Sequence, residues 1–195
     1  MDTSTYLKGE MQEMQNKTAK PMMWIGIVSI IMLFAGLTSA YIVRQAEGNW
    51  LQFDLPNQFY ISTVCIVVSS ITMRYALGAI KANNANGFKI GLLVTFILGL
   101  GFAFFQFSGW EALVEQGIYF AGARSNAAGA YLYVISGVHL AHMAGGIIAL
   151  IFTLVKAYKN KYSRDNYLGI ELVGIYWHFL DLLWIYLLLF LLFIR

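Results

Sequence analysis

Charge and cysteine are what this sequence has least of: of 195 residues, 12% are charged and one is a cysteine. Soluble domains run to about a quarter charged, so a water-facing surface around the whole chain is excluded first. One cysteine excludes a disulfide scaffold, and Cys65 lies in an apolar run where it reads as a small buried hydrophobe. Proline is nearly absent, with only Pro21 and Pro56. The first twenty residues are polar and carry both signs, so a cleaved signal peptide is not expected. The net charge of +3 is small, and no nucleic-acid partner is expected.

What fills the sequence is apolar: 59% of residues are hydrophobic. A spanning helix needs about 20 mostly apolar residues. Five windows qualify, over residues 22–43, 59–80, 88–107, 130–155 and 169–194. A backbone in lipid must satisfy its own hydrogen bonds, which makes these helices. A barrel would show alternating segments about half as long. The fold class is therefore all-α, an integral membrane bundle of five transmembrane helices. Residues 1–20 form a polar N-terminal segment and 21–195 one membrane domain. Both prolines fall outside the expected spans. Loops are short, the longest over 111–129, and there is no internal repeat.

The basic residues orient the bundle. Lys8, Lys17, Lys20, Arg74, Lys81, Lys89, Lys156, Lys159, Lys161 and Arg164 fall on one side if the spans alternate. Arg44, Arg124 and Arg195 fall on the other. The excess marks the first side as cytoplasmic, with the N-terminus inside and the C-terminus outside.

Polar groups at membrane depth are costly, about 2.5–3.5 kcal/mol on insertion scales, and so mark contacts or function. The fifth helix carries Glu171, His178 and Asp181. The first two are seven apart and share a face, and the last two are three apart and are neighbours. The leading reading is a polar lock between helices in which His178 partners Asp181, with a proton relay and metal ligation as the others. His139 and His142 share a face of the fourth helix, among Gly137, Gly145 and Gly146 that admit a close neighbour. They are expected to hydrogen-bond across that contact. Gln106 is a candidate interhelical hydrogen-bonding group, Trp110 suits the membrane interface and Glu111 is expected in the loop beyond. Hydroxyls on the second helix, Ser62, Thr63, Ser69, Ser70 and Thr72, are expected to bond their own backbone or a neighbouring helix. There is no nucleophile with a base, no phosphate-cradling glycine loop and no Cys–His metal spacing.

The segment Tyr176-Trp-His-Phe-Leu-Asp-Leu-Leu-Trp184, introduced by Gly169-x-Glu171, strongly resembles the last helix of subunit III of haem–copper respiratory oxidases. That family's Gly-x-His-x-x-His motif matches Gly137, His139 and His142. Its Ser-Ser-x-Thr run matches Ser69, Ser70 and Thr72, and its Phe-Ala-Gly-x-x-Ser-Ala-Tyr stretch matches Phe34 to Tyr41. The resemblance covers about Met22 to the end and corresponds to the five-helix bacterial form. Two positions depart from it. Ile30 stands where the family places a buried glutamate, and Gly109 replaces the glutamate of a Gln-x-x-Glu-aromatic motif.

The resemblance implies a subunit without a redox centre, with haem and copper held by partner subunits. It implies a main contact with subunit I, further contacts with subunit II and a small subunit IV, and bound phospholipid. The donor would be cytochrome c or quinol. His139, His142, Glu171, His178, Asp181, Gln106, Trp177 and Trp184 then serve as buried structural or lipid-contact residues, with no catalytic, cofactor or metal role. The localisation implied is the bacterial plasma membrane. A small b-type cytochrome anchor, a partner of nitric oxide reductase and a small transporter are the alternatives.

Overall fold

A computed structural model of the chain describes residues 3–164 and 166–194, with backbone alone for 3–13, 15 and 16. Arg195 and the side chain of Lys8, both used above for orientation, lie outside that description, as do residues 1 and 2.

Five helices account for nearly all of it: α1 (Thr3–Ala46), α2 (Asn57–Lys81), α3 (Ala85–Glu115), α4 (Ala127–Tyr158) and α5 (Leu168–Phe193). Each has a stretch long and apolar enough to cross a membrane. The helices overrun the apolar windows because polar residues extend them at both ends. α1 continues from its span back through the polar segment to Thr3, so Pro21 lies inside a helix and not before one. Proline has no N–H, so the bond back to the Lys17 carbonyl is missing there. α3 runs on to Glu115, which moves Glu111 from the expected loop onto the helix. The loop that follows shrinks accordingly to residues 116–126.

Asparagine makes the sharp turns. Asn83 and Asn160 take left-handed backbone, with φ of 57° and 51°, just after α2 and α4. Asn tolerates this conformation better than other non-glycine residues. The Asn84 side chain then caps α3 by accepting from the Gly87 N–H at 2.9 Å. Asn126 caps α4 by accepting from the Gly129 N–H at 2.7 Å.

α2, α3, α4 and α5 form a closed ring in which each helix touches the next and α5 returns to α2. α1 lies outside the ring and touches α4 and α5 alone among the helices. The tightest approaches are at small residues. A Cβ added to Gly91 of α3 would stand 2.9 Å from that of Ala76 of α2, and one on Gly174 of α5 would stand 2.7 Å from Leu77. Outward faces are apolar: Ile31 and Met32 on α1, Ile97 and Phe104 on α3, and Ile148 and Phe152 on α4 are all exposed.

Candidate functional site

The centre of the ring is a set of hydrogen bonds between helices, and α2 supplies most of the acceptors. Its hydroxyls first satisfy themselves locally: Ser62 donates to the Phe59 carbonyl at 2.8 Å, Thr63 to the same carbonyl at 2.7 Å, and Ser69 to Ile66 at 2.7 Å. Each oxygen keeps lone pairs that point away from the helix. Those lone pairs receive donors from neighbours. Gln106 of α3 donates to Ser62 at 2.9 Å, Trp177 of α5 to Ser69 at 3.0 Å, and Trp184 of α5 to Thr63 at 2.9 Å. Thr72 meets Thr95 of α3 at 2.7 Å. A polar group in lipid has no water to fall back on, so such pairs fix which helices meet and in what register.

Trp177 is the keystone of the packing. It is fully buried, and its ring lies against Gly99 of α3, where an added Cβ would stand 2.7 Å away, and against Gly146 of α4 at 3.4 Å. One indole thus touches α3 and α4 while donating to α2. Of the glycines picked out on α4, Gly146 makes this close contact, whereas added Cβ atoms on Gly137 and Gly145 would meet their neighbours only at 3.9 Å. Trp184 is buried among Phe59, Phe102 and His139, with ring centroids 6.2, 5.2 and 5.2 Å away.

The three ionisable groups of α5 do not act as one stripe. Glu171 turns to α1 and accepts from Lys20 Nζ at 2.9 Å, near the start of α5. His178 turns to α2, where its Nδ1 and the Ser70 hydroxyl are 2.6 Å apart. Asp181 is 3% exposed, and neither carboxylate oxygen has a hydrogen bond among the described residues. The expected His178–Asp181 pairing is absent. At 2.6 Å Nδ1 is satisfied by Ser70, a residue that a helical-wheel argument confined to α5 cannot see. The Ser70 hydroxyl also lies beside the Asp181 carboxylate. If Nδ1 carries the proton and donates to Ser70, the hydroxyl proton is free to turn toward Asp181.

The fourth-helix histidines also differ from the expectation that they bond to another helix. His142 Nδ1 bonds to the Val138 carbonyl of its own helix at 2.8 Å. His139 is wholly buried with neither nitrogen hydrogen-bonded, enclosed by the rings of Phe34, Phe102 and Trp184. The bond across this contact runs instead from the Tyr176 hydroxyl to the His142 carbonyl, at 3.1 Å. Among the described residues no three His, Cys, Asp or Glu side chains gather as a metal-binding group. Ile30 packs against the core one helical turn from Phe34, whose ring contacts both histidines.

Several contributors could not be read from the sequence. Ser136 accepts from Trp110 Nε1 at 3.0 Å, tying α4 to α3. Tyr133 donates to the Ile118 carbonyl at 3.0 Å and pins the loop after α3. Tyr162, in the connection before α5, is held above the ordinary tyrosine range by burial, partly offset by the Thr153 hydroxyl.

Of the motif residues, Trp177, His178 and Trp184 tie α5 to α2, and Gln106 ties α3 to α2. The model of the family described as cytochrome c oxidase subunit III matches residues 49–194. The chain belongs to this family. A protein of Mycobacterium tuberculosis named probable cytochrome c oxidase subunit 3 is 31% identical over 88% of this chain and 85% of its own length. The cytochrome c oxidase subunit 3 of Corynebacterium diphtheriae is 28% identical over 80% of this chain and 78% of its own. A probable quinol oxidase subunit 3 of Staphylococcus saprophyticus is 26% identical over 84% and 82%. The family match spans the loop before α2 and the whole four-helix ring.

Proposed function

We propose that this chain is the redox-silent subunit III of a bacterial haem–copper terminal oxidase. It packs on subunit I, adjoins subunit II and a small subunit IV, holds phospholipid and sustains the oxygen-reducing complex through turnover. The observation that carries the reading is the subunit III family match across the ring, within which Trp177, His178 and Trp184 are hydrogen-bonded to α2. On this reading haem and copper reside in the partner subunits, and His139, His142 and His178 are packing groups.

The chain sits in the plasma membrane with its N-terminus in the cytoplasm, as the basic asymmetry supports. Relatives named for cytochrome c and for quinol oxidases both cover most of the chain, so the donor is left to experiment.

Purifying the tagged chain from its native membrane tests the reading. Haem and copper should co-purify in other subunits, and the reductant those subunits accept names the donor. A tagged chain that carries its own Soret band, free of other subunits, would instead make it a b-type cytochrome anchor.

A further inference from the structure

Asp181 puts an acid in the middle of the bilayer, and the elements around it bring no cation level with it. It lies 13 residues from the start of α5 and 12 from its end, about 18–20 Å from either at 1.5 Å per residue. It is 3% exposed, and neither carboxyl oxygen has a hydrogen bond among the described residues. α1 has no charged residue between Lys20 and Arg44, and α3 has none between Lys89 and Glu111. The basic groups within the α4 span are His139 and His142. His139 lies against the Trp184 ring, one turn beyond Asp181, and His142 bonds to its own helix. The remaining cation is Arg74 of α2. From Trp177 to Trp184 the partners on α2 run backwards, from Ser69 to Thr63, so α2 and α5 are antiparallel. Arg74 therefore lies about 6 Å to one side of the Ser70–His178 level and Asp181 about 4.5 Å to the other.

The polar group beside Asp181 is the Ser70 hydroxyl, which is also 2.6 Å from His178 Nδ1. Ser70 differs from the other serines and threonines of α2. Ser62, Thr63, Ser69 and Thr72 each donate to a backbone carbonyl, whereas Ser70 has no such bond among the described residues, so its proton is free for His178. Two directions of donation fit this geometry. In the first, Nδ1–H donates to Ser70 and Ser70 donates to a carboxylate. That leaves a full charge in lipid or, with a doubly protonated ring, two charges held apart by a hydroxyl. Arg74, on the His178 side, opposes that positive ring. In the second, an un-ionised Asp181 donates its O–H to Ser70 Oγ, and Ser70 donates to Nδ1 of a neutral imidazole. Both O–H groups are then used and no charge is buried. A charge away from water costs far more than a hydrogen-bonded neutral group, and separated ions recover little of that cost. The second direction is favoured.

We infer that Asp181, Ser70 and His178 form a proton-holding site at mid-membrane, a hydrogen-bond chain running from an un-ionised Asp181 carboxyl through the Ser70 hydroxyl to Nδ1 of a neutral His178. The proton fastens two helices, because the chain leaves α5, passes through α2 and returns to α5. It also sets the ring tautomer, with the imidazole hydrogen on Nε2. The site holds its proton whichever complex the chain joins, so its test is independent of the oxidase reading.

Infrared spectroscopy of the full chain in lipid vesicles at neutral pH tests it. The parent should show the carbonyl stretch of an un-ionised carboxylic acid, and Asp181→Asn should lack that band. Ser70→Ala should keep the band and move it to higher frequency, because the acid loses its acceptor. No such band in the parent, a band that survives Asp181→Asn, or a frequency unmoved by Ser70→Ala would each overturn the site. A second measurement needs no variant of the site to fold. In the parent chain labelled with nitrogen-15 histidine, solid-state NMR should show His178 as a neutral ring with hydrogen on Nε2 and none on Nδ1. Its resonances are assigned as those missing from His178→Gln. A doubly protonated His178, or one with hydrogen on Nδ1, would mean that donation runs the other way and would overturn the inference.

Discussion

α5 and α1 are both apolar helices that cross the same bilayer, but they are held by different means. Half of the spanning window of α5 is buried inside the protein, against 22% for α1. α5 is joined to α2 at three levels, through Trp177–Ser69, His178–Ser70 and Trp184–Thr63. Among the described residues, α1 is joined to the ring by the Lys20–Glu171 ion pair, by a long hydroxyl contact from Tyr186 to Thr38, and by the rings of Phe34 and Tyr41. In water the burial of Leu and Ile would drive both helices inward. In lipid that force is absent, and position is set by shape and by hydrogen bonds that lipid cannot replace. The difference predicts that damage to α5 disrupts the ring, whereas damage to α1 frees one helix.

The largest effect should come from Trp177→Ala. It removes a fully buried indole, empties the space beside Gly99 and Gly146, and strips Ser69 of its donor. Large-to-small changes of this kind cost about 3–5 kcal/mol. Unfolding of the detergent-solubilised chain by SDS titration should show a loss of that size. A loss below 1 kcal/mol would mean the ring is not keyed by α5.

Trp184→Phe should cost less, about 1–3 kcal/mol, because a six-membered ring remains while the N–H and the rest of the buried indole are lost. Thr63 remains satisfied by its bond to the Phe59 carbonyl at 2.7 Å. Thr63→Val in the Trp184→Phe background should then add little beyond its own local cost. A double-mutant cycle on the same SDS assay checks the coupling.

Lys20→Met should cost at most about 1 kcal/mol, since the two side chains of the Lys20–Glu171 pair are 46% and 27% exposed and are screened by solvent. Its effect should be local. Crosslinking between cysteines placed on α1 and α5 should fall, while crosslinking between α2 and α5 should not. Equal loss at both contacts would erase the distinction between the two helices.

The bundle was legible because membrane spans announce themselves by length and apolarity. The helix ends were less so: α3 continues through Glu111, since a helix leaving the membrane meets water and can carry charge without penalty. The site was legible as a list of residues and illegible as pairings. Glu171, His178 and Asp181 share one helix, and periodicity suggested one stripe. Lys20 and Ser70, on two other helices, draw Glu171 and His178 apart. Interhelical partners depend on which helices are neighbours and on their register, and neither leaves a mark in the spacing along one chain. Ser69 and Ser70 show the point: adjacent in sequence, one accepts from Trp177 and the other meets His178.

The smallest effect should be that of Tyr186→Phe. The hydroxyl contact from Tyr186 to Thr38 is long, at 3.4 Å, and the tyrosine is 48% exposed. Thr38 already donates to the Phe34 carbonyl at 2.9 Å, with a longer contact to Ala35 at 3.2 Å, so losing the tyrosine hydroxyl leaves it satisfied. The tyrosine ring stays and keeps its packing 6.2 Å from Phe190, which in turn touches Tyr41 of α1. Hydrogen bonds between membrane helices average about 0.6 kcal/mol, and one of this length should fall below that. The expected change in SDS unfolding is therefore under about 0.5 kcal/mol, with crosslinking between α1 and α5 unaltered. A loss of 2 kcal/mol would show that α1 is fastened as α5 is, by a hydrogen bond deep in lipid, and would remove the basis for treating α1 as the detachable helix.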